Sequence, residues 1–127
     1  MVPHFQIADE REDGDIDVVS VSGEIHVSTA PRFRECLDAV IDAGNAWLVL
    51  DLSAVEFIDS TGLSVLLNGL RIVNQRQGHM ALVCTNPTVL RLFQITSLDT
   101  TFMIFPDRAA AVAHVRQETA GSSGGAP

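Results

Sequence analysis

The chain has 127 residues, 46% of them hydrophobic, with eight basic side chains against sixteen acidic ones and a formal net charge of −8. That length and composition suit one compact domain with a core large enough to fold alone, and they exclude a disordered or fibrous chain. Every basic residue is Arg and none cluster, which argues against nucleic acid; the apolar runs are too short to span a bilayer, and the N-terminus lacks a basic region leading into an apolar one.

The first predicted element is a strand over about Phe5–Asp9. "REDGDID" supplies a polar turn around Gly14, and "DVVSVSG" reads as the second strand of a hairpin. In "VSTAP", Ser28 or Thr29 can cap a helix with Pro31 in its first turn. Phe33, Cys36, Leu37, Val40 and Ile41 recur at helical spacing, and Gly44 closes the helix. "AWLVLDL" is continuously apolar, as expected of a central strand buried on both faces. A helix from about Thr61 to Gln75 follows. "GHMALVC" is then a strand, "NPTVLRLF" a short helix, "TTFMIF" a strand, and "PDRAAAVAHVRQ" a helix capped by Asp107.

Two strands followed by alternating helix and strand predict an α/β fold, one mixed sheet with helices packed against it. The domain is expected to occupy residues 1–117, with a flexible Gly/Ser-rich tail over 118–127. Asp9, Glu10, Glu12, Asp13, Asp15, Asp17 and Glu24 crowd the first quarter and read as a solvated face or as a surface for a basic partner. Cys36 and Cys84 sit in apolar sequence and read as free core thiols. His4, His26, His79 and His114 are scattered without ligand spacing, so no metal and no cofactor are expected.

The seam "VEFIDSTGL" between the central strand and the long helix concentrates the interest. Asp59, Ser60 and Thr61 are small and polar where two buried segments meet. Ser60 can serve simply as an N-cap, with Gly62 permitting a tight turn. The seam also lies at the C-terminal end of a buried strand, where open α/β sheets carry their sites, and at a helix N-terminus, which tolerates negative charge. At about 100° per residue, Leu63, Leu66, Leu67, Leu70 and Val73 form the stripe toward the core. Val65 and Ile72 fall on the other side near Ser64 and Asn68, as candidates for a partner surface.

"GEI" at 23–25, "LVLDLSAVEFIDSTGL" at 48–63 and "NPTVLRLFQITSLDTTFMIF" at 86–105 resemble the STAS domains, and among them the single-domain bacterial anti-sigma factor antagonists. The resemblance implies binding to an anti-sigma factor that is also a serine kinase of the ATPase fold, which frees the sigma factor for transcription. It implies phosphorylation at Ser60, with Thr61 the second choice, loss of affinity on phosphorylation, and recovery by a PP2C-type phosphatase. Asp59 would position the hydroxyl or touch the partner, Glu24 would be a partner contact, and Asp51 would end its strand and order the loop. His26 stands where such antagonists carry an acid, and Ser97 where they often carry Gly. The protein is expected in the cytoplasm, without a membrane anchor, as a monomer or weak dimer.

Three other readings compete. One is a STAS scaffold that is not phosphorylated, in a signalling complex or a lipid-transport system. A second is an enzyme with Ser60 as nucleophile and His26 nearby, but no Gly-x-Ser-x-Gly elbow is present. A third is nucleotide binding, for which the glycine-rich phosphate loop is missing.

Overall fold

The computed structural model describes residues 5–12, 16–44 and 47–124, the last five by backbone alone. The turn expected around Gly14, His4 and the final residues 125–127 lie outside the described residues. The elements are β1 (Gln6–Glu12), β2 (Ile16–Ile25), α1 (Ala30–Asp42), β3 (Trp47–Ile58), α2 (Ser60–Gln75), β4 (His79–Val83), α3 (Pro87–Ile95), β5 (Met103–Phe105) and α4 (Arg108–Gly124). The fold is the mixed α/β sheet expected, although α4 continues past residue 118, where the sequence places the start of a tail.

One sheet holds all five strands in the order β1-β2-β3-β4-β5. β1 runs antiparallel to β2, and every later pair is parallel. The inner strands alternate between two cores because successive side chains point to opposite faces. Val19, Val21, Leu48, Leu50, Leu52, Met80 and Leu82 meet α1, α2 and α3 on one face. Val18, Val49, Ala81 and Val83 meet Ala111, Val112 and Val115 of α4 on the other. The continuous apolar runs of β3 and β4 are thus explained by burial on both sides.

α2 and α3 both end in the paired bonds of a Schellman motif. In α2, Gly78 N–H donates to Val73 O (2.8 Å) and Gln77 N–H to Asn74 O (3.0 Å). In α3, Leu98 N–H donates to Phe93 O (2.8 Å) and Ser97 N–H to Gln94 O (3.1 Å). The left-handed residues are Gln77 (φ 60°) and Ser97 (φ 61°). Ser97 therefore occupies a backbone conformation that favours glycine, which accounts for the residue type expected there.

Asp17 departs from the solvated acidic face: it is 2% exposed within β2. Burial, reinforced by the charge of nearby Asp9 and only partly offset by Arg11, raises its carboxyl to about 6. The folded state therefore holds this proton more tightly than the unfolded chain. The resulting stability is complete below the unfolded value of 3.8, declines as pH rises, and is lost above about 6. Asp17→Asn is expected to be more stable than wild type by about 1–2 kcal/mol at neutral pH, with the gap closing toward pH 4. Melting curves across that range check it; parallel pH profiles for the two proteins would refute it.

Candidate functional site

The site is built where β2 and β3 end side by side. β3 is longer than its apolar run because its ladder with β2 slips twice. Ser20 pairs with Asp51 but Ser22 with Ala54, and Gly23 pairs with Val55 but Glu24 with Phe57. Such bulges bend a strand and re-aim its side chains. Gly23, at φ 92°, sits at the second slip. The result puts Glu24 beside Phe57 and Ile25 beside Ile58. Asp59 N–H then donates to Ile25 O (3.0 Å), which fastens the start of α2 to the end of β2.

The cap of α2 is Asp59, one residue earlier than the Ser60 cap expected. Its Oδ1 accepts from Thr61 N–H (2.9 Å) and Gly62 N–H (3.1 Å). Asp is as good an N-cap as Ser, and here its carboxylate also faces the positive end of the helix. Ser60 becomes the first helical residue, with an exposed side chain whose hydroxyl is engaged by no hydrogen bond among the described residues. Its carbonyl accepts from Ser64 Oγ (3.0 Å).

Gly62 is not a turn residue either; it lies within α2. A Cβ there would stand 2.7 Å from Ile25 Cγ2 and 2.7 Å from Ile58 Cγ1. Its role is close approach of the helix to the strand ends. Gly69 does the same toward α1, where a Cβ would meet Leu37 Cδ2 at 2.8 Å.

The buried face of α2 centres on these two glycines, to one side of the expected stripe. Val65 is only 3% exposed and belongs to the core, so it is not partner surface. Ile72 is half-buried and packed on the same core. Leu67, assigned to the core, is 37% exposed. The physical reason is that α2 packs against both the sheet and α1, which widens its buried arc beyond a single stripe. The outward face is Ser60, Ser64, Leu67 and Arg71, with Asn68 half-buried beside them. Arg71 Nη2 donates to Asn68 Oδ1 (2.6 Å). Ser64, Leu67, Asn68 and Arg71 line a shallow hollow on this face.

The neighbouring loop from β2 to α1 is held internally. Thr29 is the N-cap residue of α1, but its hydroxyl accepts from His26 N–H (2.9 Å) and donates to Glu24 O (2.8 Å). His26 Nδ1 accepts from Ser28 N–H (3.2 Å), which leaves Nε2 turned toward Glu24 Oε1 at 3.7 Å. The departure from an acid at position 26 is thus a half-exposed His–Glu pair. With Nδ1 used for the loop and Nε2 facing Glu24, His26 is not arranged as a base for Ser60.

Exposed Val27 and Phe57 border the same end of the sheet, and nothing in the local sequence marks either of them. The signal for Phe57 is available only once the bulge is known.

Asp51 does not end β3. It is buried mid-strand on the α4 face, where Arg108 Nη2 (2.9 Å) and Nε (3.2 Å) donate to Oδ2 and Ser53 donates to Oδ1. Burial opposes its charge, but the Ser53 bonds and Arg108 outweigh that and hold the carboxyl below its ordinary range. Arg108 also reaches Glu10 (3.0 Å) and Ser20 (2.8 Å), so Asp51 is a strut between β3, α4 and the hairpin. Cys36 and Cys84 are free, Cys84 buried and Cys36 half-buried.

Residues 8–111 match the STAS domain model, and the chain belongs to that family. It is 37% identical over 89 residues to an anti-sigma-B factor antagonist of Listeria monocytogenes, covering 70% of this chain and 77% of that one. It is 35% identical over 104 residues to an anti-sigma F factor antagonist of Paenibacillus polymyxa, covering 81% and 86%. Among solved structures, an anti-sigma factor antagonist from Mycobacterium paratuberculosis superposes with a TM-score of 0.82 at 36% identity, over 89% of this chain and 95% of that one. No helix among the described residues is long and apolar enough to cross a membrane.

Proposed function

We propose that this protein is an anti-sigma factor antagonist of the cytoplasm, switched by phosphorylation of Ser60. Unphosphorylated, it binds an anti-sigma factor of the serine-kinase ATPase fold and so releases a sigma factor. Phosphate transferred to the Ser60 hydroxyl weakens that binding, and a PP2C-type phosphatase restores it. The chain itself is a binding protein, since the phosphoryl chemistry belongs to the kinase and the phosphatase.

The observation that carries this reading is the placement of Ser60 in a chain whose relatives bear the antagonist name. Its hydroxyl is exposed at the first residue of a 16-residue helix, outside the Asp59 cap and on one stripe with Ser64, Leu67 and Arg71. A phosphate adds about −1.5 to −2 charges. It would meet the positive end of α2 and leave the buried packing untouched, so the added charge acts on the partner rather than on the fold. Glu24, His26, Asp59, Thr61, Gly62, Ser64 and Asn68 surround this face as contacts or supports, joined now by Phe57, Leu67 and Arg71.

Incubation with the cognate kinase and ATP tests the assignment. Intact-mass analysis should find one added phosphate on wild type and on Thr61→Val, and none on Ser60→Ala. Stoichiometric phosphate on Ser60→Ala would overturn it. Absence of phosphate on every form, with partner binding retained, would favour a scaffold role.

A further inference from the structure

At the end of the sheet opposite Ser60, a second group of side chains comes together that the proposed switch does not use. His79 is the first residue of β4, while His114 and Glu118 stand one helical turn apart on α4. His79 Nε2 is 3.9 Å from Glu118 Oε1, and His114 Nε2 is 4.0 Å from the same oxygen. One donor atom from each residue lies within 4.8 Å of the others.

We infer that His79, His114 and Glu118 bind one Zn2+ ion through His79 Nε2, His114 Nε2 and a Glu118 carboxylate oxygen. Two imidazoles and a carboxylate form an established three-protein-ligand set for zinc, which leaves a fourth position for water or a further ligand. Nitrogen donors favour such a late first-row ion over Mg2+ or Ca2+, which prefer oxygen.

Two details of the cluster point to a ligand rather than to ring packing alone. His79 Nδ1 lies 3.2 Å from Gly78 O, a contact that places a proton on Nδ1 and leaves the Nε2 lone pair free toward the cluster. That is the outer hydrogen bond by which metal-binding histidines are commonly oriented. His114 Nε2 is buried and has no hydrogen-bond partner. An unsatisfied buried nitrogen costs free energy, and coordination would remove that cost.

The rings are also supported from outside. Trp47 stacks on His79 at 6.0 Å and 16°, and Phe105 packs against His114 at 5.1 Å. Packing accounts for the rings, but an apolar side chain would pack equally well without directing two imidazole nitrogens at one carboxylate. With bonds of about 2.0–2.1 Å, tetrahedral donors stand roughly 3.3 Å apart. The separations here need only modest side-chain rotation, and Glu118 is exposed enough to supply it. The ion would tie α4 to the start of β4 without touching the Ser60 face, so the inference stands or falls independently of the phosphorylation switch.

The test uses the full chain, untagged and stripped with EDTA. Zn2+ is titrated by calorimetry and by the emission of Trp47, the sole tryptophan. Wild type should bind one ion per chain, with the Trp47 signal saturating at the same ratio and the melting temperature rising. Glu118→Gln keeps the shape of a half-buried side chain and should weaken binding at least about tenfold, as should His79→Gln, while Mg2+ gives no signal. Circular dichroism confirms that both variants are folded. No binding at millimolar Zn2+, or equal binding by wild type and both folded variants, would overturn the site.

Discussion

Gly62→Val is expected to lower the stability of the domain by about 3 kcal/mol and, with it, to abolish partner binding. Even the first carbon of a side chain at this position would overlap Ile25 Cγ2 and Ile58 Cγ1, both at 2.7 Å. Neither atom is the loose end of a flexible chain. Ile25 is 0% exposed and Ile58 3%, and both lie at the strand ends that carry the site. Replacing a helical glycine recovers some conformational entropy, about 1 kcal/mol when the new residue is Ala and less for β-branched Val. That gain is smaller than the overpacking cost, so destabilisation wins. Relief requires α2 to move off the sheet, which would also strain the bond from Asp59 N–H to Ile25 O. Thermal and urea denaturation of Gly62→Ala and Gly62→Val should show a graded loss, larger for Val. A Val variant as stable as wild type would show that the close approach of helix and strands is not required.

Ser60→Asp is expected to have the opposite profile, with a near-wild-type melting temperature and an affinity for the anti-sigma factor reduced roughly hundredfold, or about 2.7 kcal/mol. An acid in the first turn interacts favourably with the helix N-terminus by some tenths of a kcal/mol, and repulsion from Asp59 offsets this. Because Ser60 is exposed, its substitution disturbs no packing in the free domain. In the complex the same charge must be desolvated against a surface that fitted a neutral hydroxyl, and that cost falls wholly on binding. Titration calorimetry of both proteins, alongside melting curves, separates the two effects. Equal affinities would refute a charge-based switch, and a large fall in melting temperature would show that position 60 supports the fold itself.

Much of the fold was legible because its strands are either alternating or continuously apolar and its helices carry apolar residues at regular spacing. The long helix shows where that legibility stops. Leu63, Val65, Leu66, Leu67, Leu70, Ile72 and Val73 spread apolar residues over more than half of its circumference, so periodicity alone does not fix the centre of the inward face. Its most buried line runs through Gly62, Leu66, Gly69 and Val73, and two of those four have no side chain to register as hydrophobic. The end of β3 was hidden for a different reason. Ser53, Ala54 and Glu56 interrupt the apolar run, yet the two ladder slips carry the strand on to Ile58. The Asp59–Ser60 pair could be seen as a helix start, but either residue could cap, and only the bonds to Thr61 and Gly62 decide. His79 and His114 are distant in sequence and meet through the packing of α4 on β4; the local hint was the spacing of His114 and Glu118 on one helix face.

On the proposed mechanism, a phosphate on Ser60 changes what the domain binds and not how it folds. The most direct test is the dissociation constant for the anti-sigma factor, measured with homogeneous phospho-Ser60 protein and with unmodified protein, alongside the melting temperature of each. Affinity is expected to fall about hundredfold or more on phosphorylation, with melting temperatures that stay close. Equal dissociation constants for the two forms would contradict it.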